Sequence, residues 1–469
     1  ARHWLAAGPR HLAEAWPAAQ AAARAATAVF AYVEALEMLE HALRTQDEDP
    51  ASDECSRFEL LSDLAEVLRR AGRWVELGGV AHEAIEVADA IGDLDLLIRA
   101  GEMTSTGSLW TPAGGVVDEI VVDALRRALD LLPSGDDPRR CRVMLALAGE
   151  IYYGSSAQER EALADEAIAM ARRLGDRALL ADAAIKASIA TWHPSTAERR
   201  LELAGEAAEL ALELGDTVLR ASALTLRAVA AGELGDMAAL DESVASARTE
   251  ADRVRHVYAH LLLDSIDVAW AAMRGHREDV AKHLEHLAGL GEVVSIVGYD
   301  EAIAGAMLMQ VMWEGQMEAV ADGVLALSQD SFLPLSTSIV SMLCRVGRLD
   351  EAREYLATHA EEVQRTVEIQ TWFSTMALSM AAEAACHLGE PALAATAYER
   401  LVHSSGRPAC AGSGTVVGPV DIFLAMAAEA TGEHALAVRH ADAALEQCER
   451  WDVPLAADWV RRERDRFGF

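Results

Sequence analysis

The stretch that decides the fold runs from Leu163 to Asp216: LADEAIAMARRLGD, then RALLADAAIKASIATWHPST, then AERRLELAGEAAELALELGD. Its first block sets Leu163, Ala167, Met170 and Leu174 at i, i+4, i+7 and i+11. Its third block does the same with Leu203, Ala207, Leu210 and Leu214. That spacing marks one face of an α-helix. Both blocks end in Leu-Gly-Asp, where glycine can adopt the left-handed conformation that stops a helix. Between them Leu179 to Trp192 is almost wholly apolar and is broken at His193-Pro194. An amphipathic helix paired with a more buried one is the unit of an α-solenoid.

The same template returns at Tyr32/Leu36/Leu39/Leu43, Val80/Ala84/Val87/Ile91 and Val121/Leu125/Ala128/Leu132, and later at Leu240/Val244/Ala247/Ala251 and Ala437/Ala441/Ala444/Cys448. Turn signals fall near Gly72, Gly114, Ser155, Pro194, Gly235, Gly275, Gly315, Gly347, Gly389 and Gly432, at a spacing of roughly 40 residues. With a hairpin turning near Phe30, the spacing predicts about eleven tetratricopeptide-like helical hairpins in a right-handed superhelix, all-α and without a sheet. The array is expected to be one unit over 1–469, with possible sub-halves at 1–250 and 251–469. Gly412-Ser413-Gly414-Thr415 reads as a flexible loop between helices, since no strand precedes it and no phosphate-binding lysine follows.

The 469 residues are 52% apolar, enough for a continuous core, and carry a formal net charge of −34. Such a charge repels phosphate, so direct nucleic acid binding by this segment is not expected. The acid is spread over helix faces rather than gathered in a tail. Lysine occurs only at Lys186 and Lys282, and arginine with abundant alanine suggests a GC-rich bacterial source. The six cysteines form no C-x-x-C pair, which fits small buried residues in a reducing, cytoplasmic setting. No apolar run is long enough for a membrane span, and no signal peptide is evident. The chain starts in what reads as the end of a helix, so a fragment of a larger protein is expected.

Two stretches carry a family resemblance. One is His3-Trp4-Leu5-Ala6-Ala7-Gly8, with Phe30-Ala31-Tyr32-Val33-Glu34-Ala35 and Leu39-Glu40-His41-Ala42-Leu43. The other is Gly418-Pro419-Val420-Asp421 with Gly432, Ala437, His440, Ala444 and Leu445. Together they resemble the helical-repeat sensor region of large ATP-binding bacterial transcriptional regulators of the LuxR family. The resemblance implies a region that links an ATPase module to a DNA-binding module and, in some members, senses an inducer. Neither flanking module is present in this sequence, and no G-x-x-x-x-G-K-[ST] occurs, so ATP and DNA binding do not carry over to these residues.

Catalytic and metal signatures are weak. His82-Glu83-Ala84-Ile85-Glu86 has glutamate where a zinc-protease helix needs its second histidine. His256 and His260 stand at i, i+4 but lack a third ligand nearby, so structural roles are expected, as for His283 and His286. No cofactor is expected. Two alignments across repeats suggest a ligand site. Two residues before the turn in their respective repeats stand Trp110, Tyr153, Trp192 and Trp313, which either line one rim of the superhelix or plug hairpin ends. Eight residues before three turns stand Lys186, Arg227 and Asp267, each costly in an apolar helix unless paired. They either form a charged floor on the concave face, with Lys186 and Arg227 one repeat apart, or a structural ladder in which Asp182 meets Lys186 and Arg227 meets Asp267.

Three functions remain open. The first is a regulatory sensor and scaffold that takes a small effector or a protein partner in its concave groove. The second is an enzyme with its active site in that groove. The third is a stand-alone interaction repeat. Helical arrays bind more often than they catalyse, which favours the first.

Overall fold

The computed structural model describes residues 9–469 apart from 111–114, 293, 297–298, 329–330, 332, 369 and 413. The segment 3–8 and the turn at Gly114 therefore lie outside the described residues. Eleven helical hairpins follow one another. They are α1 (Leu12–Ala28) with α2 (Tyr32–Asp47), α3 (Glu54–Arg70) with α4 (Trp74–Ile91), α5 (Leu94–Gly101) with α6 (Glu119–Leu131), and α7 (Pro138–Glu150) with α8 (Ala157–Leu174). Next come α9 (Arg177–Ala190) with α10 (Ala197–Leu214), α11 (Thr217–Leu234) with α12 (Met237–Val254), α13 (Val257–Arg274) with α14 (Arg277–Gly291), and α15 (Tyr299–Trp313) with α16 (Met317–Ser328). The last are α17 (Ser336–Arg345) with α18 (Leu349–Thr358), α20 (Ser374–Leu388) with α21 (Pro391–Leu401), and α22 (Val420–Ala430) with α23 (His434–Trp451). Two single helices stand outside the pairs, α19 (Ala360–Glu368) and the terminal α24 (Pro454–Phe467).

The Leu-Gly-Asp punctuation works on both sides of each break. Gly175, Gly215 and Gly235 take φ of +71°, +72° and +69° and close α8, α10 and α11. The aspartate that follows caps the next helix: Asp176 accepts from Ala178 N and Leu179 N, Asp216 from Leu219 N, and Asp236 from Ala239 N. A three-residue string thus ends one helix and starts its partner.

The fold is all-α as expected, with one short β-hairpin among the described residues that the sequence reading did not include. Pro408–Ala411 (β1) and Thr415–Pro419 (β2) form an antiparallel hairpin, with Cys410 opposite Val416. Of the stretch read as a flexible loop, Gly412, Gly414 and Thr415 lie at the tip of this hairpin and Ser413 lies outside the described residues; the strands are almost wholly buried. Strand signals were too short to register, because both faces are covered and no alternation survives.

The solenoid coils back on itself. Arg160 Nη2 donates to Gln370 O, 210 residues on. Trp372 N donates to Tyr152 Oη across 220 residues, and Arg407 Nη1 to Pro194 O across 213. Trp451 Nε1 donates to Gly235 O across 216. Near the N-terminus Trp74 N donates to Ser295 O at 2.6 Å and Ser295 N to Gly72 O at 2.8 Å. One superhelical turn therefore consumes a nearly constant length, about five hairpins at roughly 40 residues each. The β-hairpin fills the concave side, touching α11, α13, α15 and α20. This is why inner helices such as α11 and α13 are apolar nearly all round.

Candidate functional site

The concave side is organised around three tryptophans. Trp192 follows the end of α9, and its Nε1 donates to Glu233 Oε1 at 2.5 Å. Glu233 also pairs with Arg200, so the indole is held by a charged partner that is itself neutralised. The Trp192 carbonyl accepts from the Tyr152 hydroxyl. From the next superhelical layer Trp372 N donates to that same hydroxyl at 3.0 Å, and Trp372 Nε1 donates to Tyr153 Oη at 3.2 Å. Trp110 stands between the other two, its ring centroid 4.7 Å from each, at an interplanar angle of 66°. Such edge-to-face contacts favour a fixed arrangement of rings. Arg160, 2% exposed, holds the two layers together by donating to the carbonyls of Tyr152, Ser155, Ala190 and Gln370.

The hairpin tip fits against this cluster because Gly412 and Gly414 carry no side chain. Gly412 N donates to Trp372 O at 3.1 Å. A Cβ on Gly412 would lie 3.4 Å from Trp110 and 3.5 Å from Trp192, at a φ of +53°. On Gly414 it would lie 2.9 Å from the Ser265 Cβ, too close to fit without movement. The base of the hairpin is clamped by Asp421, 1% exposed. It accepts from Ser405 Oγ, Gly406 N, His440 Nδ1 and Gln447 Nε2 at 2.9, 2.7, 2.8 and 2.6 Å. Burial pushes the carboxyl pKa of Asp421 up, but these hydrogen bonds, His440 first, bring it below the usual value. Among the residues that carried the family resemblance, Asp421 and His440 therefore have a structural role in placing the hairpin.

Between the tryptophans, the hairpin tip, α13 and α15 lies a cavity of about 120 Å³ that opens to solvent. An apolar space of about 150 Å³ is enough to take a benzene-sized molecule. Its walls are mostly apolar and rich in aromatic rings: Trp110, Trp192, Tyr258, Trp372 and Phe373. Ser265 and Thr415 add hydroxyls. Glu301, in the first turn of α15, brings the one carboxylate among the described lining residues, and no arginine, lysine or histidine accompanies it. Ala302, Gly305 and Leu308 continue the same face of α15 along the wall.

Of the expected rim residues, Trp110 and Trp192 converge on this cavity. Tyr153 lies beside it, lining a second depression with Arg160 and Gln370. Trp313 is elsewhere, packed on Trp459 at a centroid separation of 6.1 Å. The charged floor does not form. Lys186 is buried and pairs with Asp182 at 3.1 Å, as the ladder reading had it. Arg227 turns to the outer side, meeting Glu242 at 3.1 Å and Ser243 at 2.8 Å. Asp267 pairs with Arg248 instead, so the expected Arg227–Asp267 contact is replaced. The reason is reach: residues at equal offsets stack by backbone, while a long guanidinium side chain turns to the nearest carboxylate.

Sequence reading missed Trp372, Phe373 and Glu301. The first two lie in an irregular connection before α20, with no periodicity to mark them. Glu301 was one acidic residue among 75. The histidines have structural partners. His256 caps α13 by accepting from Ala259 N at 3.4 Å and lies 3.1 Å from Ser222 Oγ. Burial, with the nearby His260, pushes its pKa down to about 4. Asp264, Asp267 and His283 bring possible metal ligands within 4.8 Å of one another. Arg248 already occupies the position between them, 2.8 Å from Asp264 and 2.5 Å from Asp267, while His286 Nδ1 meets Asp264 at 2.5 Å. A cation would have to displace a guanidinium there.

No family model and no curated protein matches the chain. Among solved structures it is similar to a Rap protein complexed with competence and sporulation factor, at 10% identity over 74% of each chain and a TM-score of 0.36. It is also similar to a signal transduction ATPase with numerous domains from Pyrococcus horikoshii that carries a tetratricopeptide repeat sensor. That match has 14% identity over 67% of this chain and 45% of that one, with a TM-score of 0.34. A circular tandem repeat protein matches at 18% identity over 98% and 97%, with a TM-score of 0.14. The assignment as a helical-repeat array rests on the chain's own elements.

Proposed function

We propose that this array is a binding module, not an enzyme: the sensor region of a multidomain bacterial transcriptional regulator, resembling those of the LuxR family, acting in the cytoplasm. Its effector is a small molecule held in the cavity beside Trp110, Trp192 and Trp372. The observation that carries this reading is the composition of the cavity wall, which draws on both layers of the superhelix. Trp192 and Tyr258 come from one layer, and Trp372 and the hairpin tip from the other. A molecule lodged there touches both layers and changes how firmly they hold together, which is what a sensor linked to neighbouring modules needs. A protein or peptide partner has less room, since the β-hairpin already fills the groove. The six free thiols, with Cys55 alone exposed, suit a reducing compartment.

The test is a titration with Nile red, a neutral dye that brightens in apolar surroundings. The expected result is saturable binding at one site per chain, lost in Ala302→Trp, which fills the cavity, with helical circular dichroism unchanged. Equal binding by Ala302→Trp would place the dye elsewhere and remove the support for this reading.

A further inference from the structure

Resting on that reading, we propose that the cavity selects a small organic ammonium compound, with Glu301 as its counter-ion and the aromatic rings as its cage. The inference begins from an asymmetry in the lining. Five aromatic rings line the space, and an aromatic ring attracts a cation centred over its face. The rings are Trp110, Trp192, Tyr258, Trp372 and Phe373. No basic side chain lines the cavity among the described residues, and Glu301 supplies a negative charge there.

Glu301 is also unspent. In this chain acidic groups near arginines are heavily paired; Glu233, Glu383, Asp264 and Asp421 all have charged or histidine partners. Among the described residues Glu301 has no hydrogen bond and no ion pair, although it is only partly exposed. It sits in the first turn of α15, and the same helix face carries it, Ala302, Gly305 and Leu308 toward the space. Gly305 keeps that face low: a Cβ there would lie 3.0 Å from Thr415 Oγ1. The hairpin can therefore come close to α15 while Glu301 overlooks the cavity.

The walls also define what is excluded. An anionic ligand would meet Glu301 and the ring faces with no cation to receive it. A strongly hydrated ion would lose its water to a largely apolar wall. A compound with a substituted ammonium centre and apolar arms avoids both costs, because its charge is diffuse and weakly hydrated. The formal net charge of −34 adds a long-range attraction for cations. The hairpin packs on α11, α13, α15 and α20 and so leaves less room for a peptide, which favours a free small molecule over a side chain of a partner as the source of the ammonium group.

The experiment displaces Nile red from the intact chain with three probes of nearly one shape: benzyltrimethylammonium, its neutral carbon isostere neopentylbenzene, and phenylmethanesulfonate. The expected order is the cation far ahead of the neutral compound, with the sulfonate inert. Glu301→Gln should weaken the cation by roughly tenfold or more and leave the dye and the neutral isostere unchanged. Unchanged dye binding shows that the variant keeps its cavity. If the neutral isostere competes as well as the cation, or Glu301→Gln costs the cation nothing, the ammonium proposal falls while the effector cavity stands. If neither the dye nor any probe binds, the cavity reading falls with it. A hexapeptide bearing trimethyllysine that competes as well as benzyltrimethylammonium would overturn the small-molecule source.

Discussion

Glu150 ends α7 as a carboxyl group buried to 2% exposure with a hydroxyl, Thr104 Oγ1 at 2.5 Å, as its hydrogen-bond partner. Burial pushes its pKa up to about 7, against the pull of Thr104 and with a further push from the charge of Asp118. The folded chain therefore binds this proton more tightly than the unfolded one. Stability from this group is fully present below the unfolded value near 4.5 and is lost as pH rises to about 7. At 1.36 kcal/mol per unit, the loss is roughly 3 kcal/mol. Urea denaturation at pH 5 and pH 8 checks it: the stability gap between the wild type and Glu150→Gln should shift by that amount in favour of the variant at the higher pH. A gap that does not move would mean the carboxyl is not held protonated. The arginines make a second contrast. Arg248→Ala removes the guanidinium from Asp264, which is fully buried and keeps His283 and His286 as partners, and should cost about 1.5–3 kcal/mol. Arg227→Ala loses a partner that is 67% exposed and should cost about 1 kcal/mol or less in the same urea measurement. At this scale the sequence was legible where a partner lay within one helix, as for Asp182 and Lys186. It was not legible for Asp267, because nothing in an offset tells which of two neighbouring guanidinium groups arrives.

The helices were legible from their own residues. Apolar spacing placed α8 and α10, and Leu-Gly-Asp placed the breaks between them, because both signals are local and each is carried by a few residues. The face was less sharp than the pattern: Leu203 and Ala207 are buried, whereas Leu214 remains 44% exposed. The β-hairpin was illegible for the opposite reason. Its strands cover four and five residues, and its conformation depends on α13, α15 and α20 around it. Its glycines are steric requirements of that fit. Gly414→Ala should force Ser265 and its helix to move, costing about 1–3 kcal/mol by overpacking. The proper measurement is a double-mutant cycle with Ser265→Gly, which removes the opposing Cβ. Recovery of most of the loss in the double variant is expected, after allowance for about 1 kcal/mol for glycine within a helix. No coupling between the two changes would show that the tip does not press on α13.

For the molecule as a whole, the decisive feature is the seam between successive superhelical layers. Open solenoids are stabilised mainly by contacts between neighbouring hairpins, so they unfold in pieces when one interface is weaker than the next. This chain adds contacts separated by 209 to 220 residues: Arg160 to Gln370, Trp372 to Tyr152, Arg407 to Pro194 and Glu198, and Trp451 to Gly235. They could not be read from sequence, since each is a single residue meeting a backbone atom or a side chain far along the chain, with no shared periodicity. They couple hairpins that a nearest-neighbour array leaves independent. The expected consequence is one concerted urea transition, with tryptophan fluorescence and far-ultraviolet circular dichroism superimposing. Trp451 is the strongest place to break the seam, because its indole fills the space against Gly235, where a Cβ would come within 2.8 Å, and donates to that residue's carbonyl at 3.1 Å. Trp451→Ala removes about 3–5 kcal/mol of packing. It should also separate the two probes, the fluorescence change preceding the loss of helix, since seven of the ten tryptophans lie at or beyond Trp110. Arg10→Ala, a change near the N-terminus and far from the seam, serves as the control that keeps the transitions superimposed. If Trp451→Ala lowers the midpoint and leaves the two probes coincident, the layers are joined by something other than this seam, and the proposed effector cavity between them loses its means of reporting to the rest of the chain.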